Sequence, residues 1–216
     1  MNIFTQKDLK KVANKIYRYL MADGSDHGII ERCRLVKIRK ILYEINRISI
    51  SKVPYDLTSE YIENKLEMVK ILDSIRSKMA FDFLRTSTAA SSALFRALKL
   101  FTKMIDLYFV RIANEAPEIA VRIVAIAYIR DESDLLEVAS NKFNATSLRI
   151  EAIKKIHDQD YLESEAADLR EPYTLRFEAV HNITDEGILW RIIENDKYDT
   201  VLRGVASDQL TLKKTQ

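Results

Sequence analysis

The chain has 216 residues, enough to bury a sizeable core in one large or two small domains. At 47% hydrophobic and 31% charged residues it is too apolar for a disordered polymer, and 4 Gly and 3 Pro are too few turn-formers for a sheet-rich fold. The lone Cys33 excludes an internal disulfide framework, and the net charge of +2 conceals a polarity: residues 1–110 carry 20 Lys/Arg against 12 Asp/Glu, and residues 111–216 carry 14 against 20.

In chain order, the first expected helix is Thr5–Met21, with Leu9, Val12, Ala13, Ile16 and Leu20 on one face and Thr5 as its N-cap. It lacks the continuous apolar run of a secretory leader, so a cytoplasmic protein is expected. Its other face carries Lys7, Lys11, Lys15 and Arg18 at steps of three or four. The stretch "DGSDHG", residues 23–28, begins like a calcium loop, but the twelfth position, where a bidentate Glu is needed, is Arg34. A second helix over Ile29–Ile48 presents Arg34, Lys37, Lys40 and Arg47 as another basic ridge. Cys33 lies there among Ile29, Ile30 and Val36, which reads as a small core residue rather than a nucleophile. Two such ridges suit phosphate-backbone contact, although no aromatic residue is clearly interleaved for base stacking. A solvated face is the plainer reading of both.

"SISKVPYDLTSE" reads as a loop before a third helix at Ser59–Leu84, and "TSTAASSA" as a joint before a fourth that runs to Asn114. Residues 1–112 are thus expected to form an N-terminal region of longer helices, and residues 113–216 a second, repetitive region.

The repetition has a period of 27 residues, marked by Arg122, Arg149, Arg176 and Arg203. The residue before each is Val121, Leu148, Leu175 or Leu202, and three after comes Ala125, Ala152, Ala179 or Ala206. Seven after comes Ile129, Ile156, Ile183 or Leu210, and nine after comes Asp131, Asp158 or Asp185, with Leu212 breaking the column. Leu135, Leu162 and Leu189 follow at thirteen, then Ala139, Ala166 and Ile193 at seventeen. Positions −1, +3 and +7 share a helix face, and the alanine admits a close neighbour. Asp at +9 suits the N-cap of a second helix. Each unit is therefore expected to be a pair of helices of about ten residues each.

These columns resemble short HEAT-like repeats, including the bilin-lyase-type and leucine-rich variant repeats, over residues 113–212 or so. The resemblance implies an all-α fold, a right-handed α-solenoid or HEAT-like superhelix, with the longer N-terminal helices as its cap. It also implies that the arginines and Asp131, Asp158 and Asp185 form a structural ladder, each Arg meeting a neighbouring Asp or a helix-end carbonyl. If first helices line the concave side, the display surface comprises Tyr128, Glu151, Lys154, Lys155, Glu178, His181, Asn182, Asp208 and Gln209. Trp190, in the column of Leu136 and Glu163, is an added candidate that either fills an inter-repeat gap or anchors a partner.

No G-x-S-x-G, phosphate-loop or HExxH motif occurs, and His157 and His181 join no Cys/His cluster, so no catalytic, cofactor or metal residue is expected. The apolar run Ile123–Ile129 is far too short to span a membrane. The leading expectation is a non-enzymatic scaffold that binds another protein or peptide. A homodimer is a further expectation, because the array stops after one helix and leaves Val201, Leu202 and Val205 without obvious cover. The alternative is nucleic-acid binding through the basic ridges. Some alkylpurine DNA glycosylases have a compact HEAT-like fold of similar length, with a basic, aromatic-rich cleft and a catalytic Asp. Here the repeat half is net acidic and the chain has one Trp.

Overall fold

The computed structural model describes residues 40, 43, 58–85 and 93–214, and every element among the described residues is helical. The expected helices Thr5–Met21 and Ile29–Ile48 lie outside the described residues, apart from Lys40 and Tyr43. The helices are α1 (Thr58–Arg85), α2 (Ala93–Glu115), α3 (Ile119–Tyr128), α4 (Glu132–Ser140), α5 (Thr146–Ile153), α6 (Gln159–Ala167), α7 (Tyr173–Asn182), α8 (Glu186–Glu194) and α9 (Thr200–Lys214). The chain forms two compact units, one running to Tyr128 and the other starting at Ile129. The first helix of the first repeat, α3, therefore belongs to the first unit.

In the first unit α1 packs on α2, and both pack on α3. Met68, Val69, Leu72 and Ile75 form the buried stripe of α1 at helical spacing; Ile105, Phe109, Ile112 and Ala113 do so on α2, and Val121, Ala125 and Ile126 on α3. Two cations are buried among them. Lys65 Nζ donates to both carboxylate oxygens of Glu118, at 2.8 and 3.0 Å. Arg76 meets Asp73 at 2.5 Å and Asp106 at 2.6 Å, and donates to Tyr128 O at 2.8 Å. Its guanidinium lies 4.6 Å from the centre of the Phe109 ring, which in turn lies 5.7 Å from the Tyr128 ring at a tilt of 35°. A charge so placed is tolerable because carboxylates and a helix-end carbonyl replace the lost water.

The second unit carries the 27-residue columns. Its closest packing joins α4 to α5, α6 to α7 and α8 to α9, the second helix of one repeat with the first of the next. Successive first helices, α5 with α7 and α7 with α9, also pack together. Leu148, Leu175 and Leu202 are buried, as are Ala152, Ala179 and Ala206, Ile156, Ile183 and Leu210, and Leu135, Leu162 and Leu189. The alanine column is fully inaccessible, consistent with neighbouring helices in close contact through a methyl-sized side chain. α9 has 15 residues against 8–10 in α5 and α7. Where earlier repeats place the capping Asp, this one has Leu212, so nothing there starts a second helix and α9 runs on. Leu202 is buried rather than uncovered, whereas Val201 remains 55% exposed.

Candidate functional site

The arginine column ends helices. In the first unit Arg122 Nε donates to Ala113 O at 2.6 Å, in the last turn of α2. In the second, Arg149 Nε donates to Ala139 O at 2.5 Å and Arg176 Nε to Ala166 O at 3.0 Å. Both acceptors are the small residue seventeen places beyond the preceding arginine, in the last turn of α4 or α6. Carbonyls there have no partner within their own helix, and the guanidinium supplies one. Arg203 departs from this pattern: its η nitrogen meets the exposed Asp196 at 2.8 Å.

The aspartate column starts helices. Asp131 accepts from Ser133 N at 2.9 Å, Asp158 from Tyr161 N at 3.0 Å and Asp185 from Ile188 N at 2.9 Å. Each thereby satisfies an orphan donor at the N-terminus of α4, α6 or α8. Arg149 takes its carboxylates from elsewhere: Glu171 at 2.5 Å and Glu165 at 3.2 Å. Lys142 reaches the other oxygen of Glu171 at 2.6 Å. The Arg149 hydrogen bond, aided by Lys142, holds the Glu171 carboxyl below its ordinary range, while burial pushes Glu165 up despite Arg149. Burial also pushes the nearby Tyr161 hydroxyl up to about 12.

Three further columns carry the joins, and the four-arginine pattern did not reveal them. Glu132 Oε1 accepts from the backbone N–H groups of His157 and Asp158, at 2.5 and 2.7 Å. Gln159 Oε1 does the same for Thr184 and Asp185, at 2.6 and 2.9 Å. A carboxylate or amide oxygen ten residues after Arg122 and after Arg149 thus ties its repeat to the next. Asn141, Asp168 and Asn195 each accept from the backbone N–H two residues on, at 3.1, 3.0 and 3.0 Å, turning the chain between repeats. Asn144, Glu171 and Tyr198 close that same turn and are each 6% exposed. Glu132 and Gln159, and Asn141, Asp168 and Asn195, are legible as chemically alike residues at 27-residue steps.

The expected display surface divides. Glu151 on α5 and Lys154 at its C-cap pair with each other at 2.8 Å, and this hydrogen bond raises the Lys154 pKa, with Glu178 of α7 adding its field. His181 is exposed, stacks on Phe177 with rings 9° from parallel and meets Gln209 of α9 at 3.1 Å. Glu151, Lys154, Glu178, His181 and Gln209 therefore lie along the row of first helices, with Asp208 exposed on α9. Lys155 instead donates to Ile129 O at 2.7 Å, and Asn182 to Glu178 O at 3.1 Å, so both brace the frame. Tyr128 is in the first unit, half-buried against Phe109. Trp190 stands on α8, 48% exposed, beside Arg191, which clasps Glu163 at 2.6 and 2.9 Å. Of the basic ridge, Lys40 is an exposed helical residue; Lys7, Lys11, Lys15, Arg18, Arg34, Lys37 and Arg47 lie outside the described residues.

Among the described residues no group of three His, Cys, Asp or Glu is placed to hold a metal ion, and no helix is long and apolar enough to cross a membrane. No protein-family model, curated protein or solved structure matches the chain.

Proposed function

We propose that this chain is a non-enzymatic scaffold whose HEAT-like repeats form a right-handed α-solenoid, capped by the longer N-terminal helices, that binds another protein or peptide. The observation that carries this reading is a division of labour within the second unit. Arg149, the Nε–H of Arg176, the aspartates, and the ties made by Glu132 and by Gln159 are committed to helix ends and to joins between repeats. The intervening positions differ from repeat to repeat and stay accessible, among them Lys154, His181 and Trp190. Exposed apolar groups accompany them, with Tyr173 at 44%, Val201 at 55% and Leu169 at 71%. A mixed polar surface with a few accessible aromatic and aliphatic anchors is the usual chemistry of protein recognition.

The test uses the full chain, purified from its native source, with light scattering and mass spectrometry of co-eluting proteins. A defined protein partner, lost on combining Lys154→Glu with His181→Ala without a fall in thermal stability, is expected. A monomer that carries no protein overturns the reading. Salt-sensitive DNA binding by such a monomer favours the nucleic-acid alternative.

A further inference from the structure

Arg149 and Arg176 occupy the same place in consecutive repeats, yet their surroundings differ in charge. The counterpart of Glu165 beside Arg176 is Ile192, fully buried, and the counterpart of Glu171 is Tyr198, 6% exposed. The turn hydrogen bond that places the second position is kept: Glu171 N donates to Asp168 O at 3.0 Å and Tyr198 N to Asn195 O at 3.1 Å. The chemistry beside the guanidinium has changed. Arg176 gives its Nε–H to Ala166 O, and among the described residues its two η nitrogens have no carboxylate partner. It is nevertheless only 8% exposed.

A guanidinium this deep with no carboxylate beside it keeps only the hydration its cavity admits, so an anion entering that cavity is favoured. Arg176 lines a cavity of about 490 Å³ with Tyr198, Lys197, Asn195, Glu163 and Asp160. The Tyr198 hydroxyl has no hydrogen-bond partner among the described residues and shares that cavity. Glu163 is already held by Arg191 through both oxygens, so it leaves Arg176 unanswered. A guanidinium, a phenol and a lysine thus line one space, together with Asp160 and Glu163.

We propose that Arg176 and Tyr198 form a subsite for one carboxylate of a bound peptide, the ligand taking the place that Glu165 and Glu171 fill beside Arg149. The inference rests on the peptide-binding reading above. A carboxylate fits better than a phosphate for two reasons. The Arg149 site is a template within the same chain, and its anions are carboxylates arranged around the guanidinium fork. A phosphate dianion, moreover, carries twice the charge of a carboxylate, so Asp160 and Glu163 at the same cavity repel it more strongly. The carboxylate comes from an acidic side chain or from a peptide C-terminus.

The experiment titrates the isotopically labelled full chain and follows the Arg176 Nε–H resonance at constant ionic strength. The ligands are sodium acetate, acetyl-Gly-Glu-Gly-amide, acetyl-triglycine with a free C-terminus, sodium phosphate and sodium chloride. Saturable shifts with acetate and with one of the two peptides are expected, and whichever peptide binds more tightly names the source. Tyr198→Glu places an internal carboxylate where Glu171 stands in the preceding repeat. It should fold at least as stably as the parent and, followed through backbone amides around the cavity, bind acetate about tenfold or more weakly. Arg176→Gln should give the same loss. Absence of saturation by any carboxylate overturns the subsite, as does unchanged acetate binding in Tyr198→Glu; tighter binding of phosphate than of either peptide overturns the ligand class. A protein partner that binds the parent and Tyr198→Glu equally overturns the subsite alone. Carboxylate binding in a chain that captures no protein overturns the scaffold reading alone.

Discussion

Arg149 and Arg176 are a controlled comparison provided by the repeat itself. Both are buried, both cap the helix before them and both lie on first helices of the same length to within two residues. Around Arg149 the chain supplies two carboxylates and a second cation, Lys142, which closes the network onto itself. Around Arg176 it supplies Ile192 and a tyrosine, and opens a cavity. One structural position is answered by the chain's own carboxylates in one repeat and, on the proposal above, by a ligand in the next, around the same turn hydrogen bond. The arginine does not by itself distinguish a structural from a recognition role; what surrounds it does.

The largest way to break this comparison is to make the same substitution at both places. Arg149→Gln leaves Glu171, nearly inaccessible, with its main counter-charge gone, and should lower stability by about 3–5 kcal/mol. Arg176→Gln loses one carbonyl cap but also removes an uncompensated charge, so about 1 kcal/mol or less is expected. Denaturant midpoints of the two variants measure the gap. Equal losses would mean that Arg176 has as strong a set of partners as Arg149.

Next in size is Glu171→Gln, expected to cost about 1.5–3 kcal/mol at neutral pH. The folded carboxyl sits below its ordinary value of 4.5, so its contribution is complete above that pH and is lost as pH falls through the depressed value. The stability gap between parent and variant should therefore close on acidification. Glu165, raised by burial, has the opposite sign: its ionisation weighs against the folded state as pH climbs through its raised value. Glu165→Gln should show the reverse pH slope in the same melts.

The smallest effects separate working caps from ornamental ion pairs. Asp158→Ala removes the N-cap of α6 and should cost about 1 kcal/mol. Arg203→Gln breaks a pair whose acid is 95% exposed and should change stability by less than about 0.5 kcal/mol. Thermal melts read both, and a large loss for Arg203→Gln would show that its role resembles that of Arg149.

Much of the frame was legible in the sequence, because local rules govern it. The helix expected at Ser59–Leu84 spans Thr58–Arg85, and the fourth expected helix, ending at Asn114, ends at Glu115. The aspartate column read as N-caps because a short carboxylate before an apolar helical run has little else to do. The position shared by Asn144, Glu171 and Tyr198 stayed hidden because a search for repeats looks for one residue type. There the burial repeats while the side chain changes from amide to carboxylate to phenol. The partners of Arg149 were hidden for a related reason: Glu165 and Glu171 lie 16 and 22 residues away and meet the guanidinium only once α6 and the following turn have folded. Lys155 and Asn182 looked like display residues from spacing alone, but the long Lys155 side chain reaches the Ile129 carbonyl, and the short Asn182 side chain folds back one turn to the Glu178 carbonyl.

The most direct test of the contrast needs no ligand: the rate of rotation about the Cζ–Nη bonds of Arg149 and Arg176, measured by nitrogen-detected relaxation on the full chain. A guanidinium clasped by carboxylates turns slowly, and one whose η nitrogens face an open cavity turns fast. Slow rotation is expected in Arg149 and fast rotation in Arg176, with Arg176 slowing when Tyr198→Glu supplies a carboxylate. Equally slow rotation at both arginines in the parent chain would show that Arg176 already has its anion, and would leave no subsite for a ligand to fill.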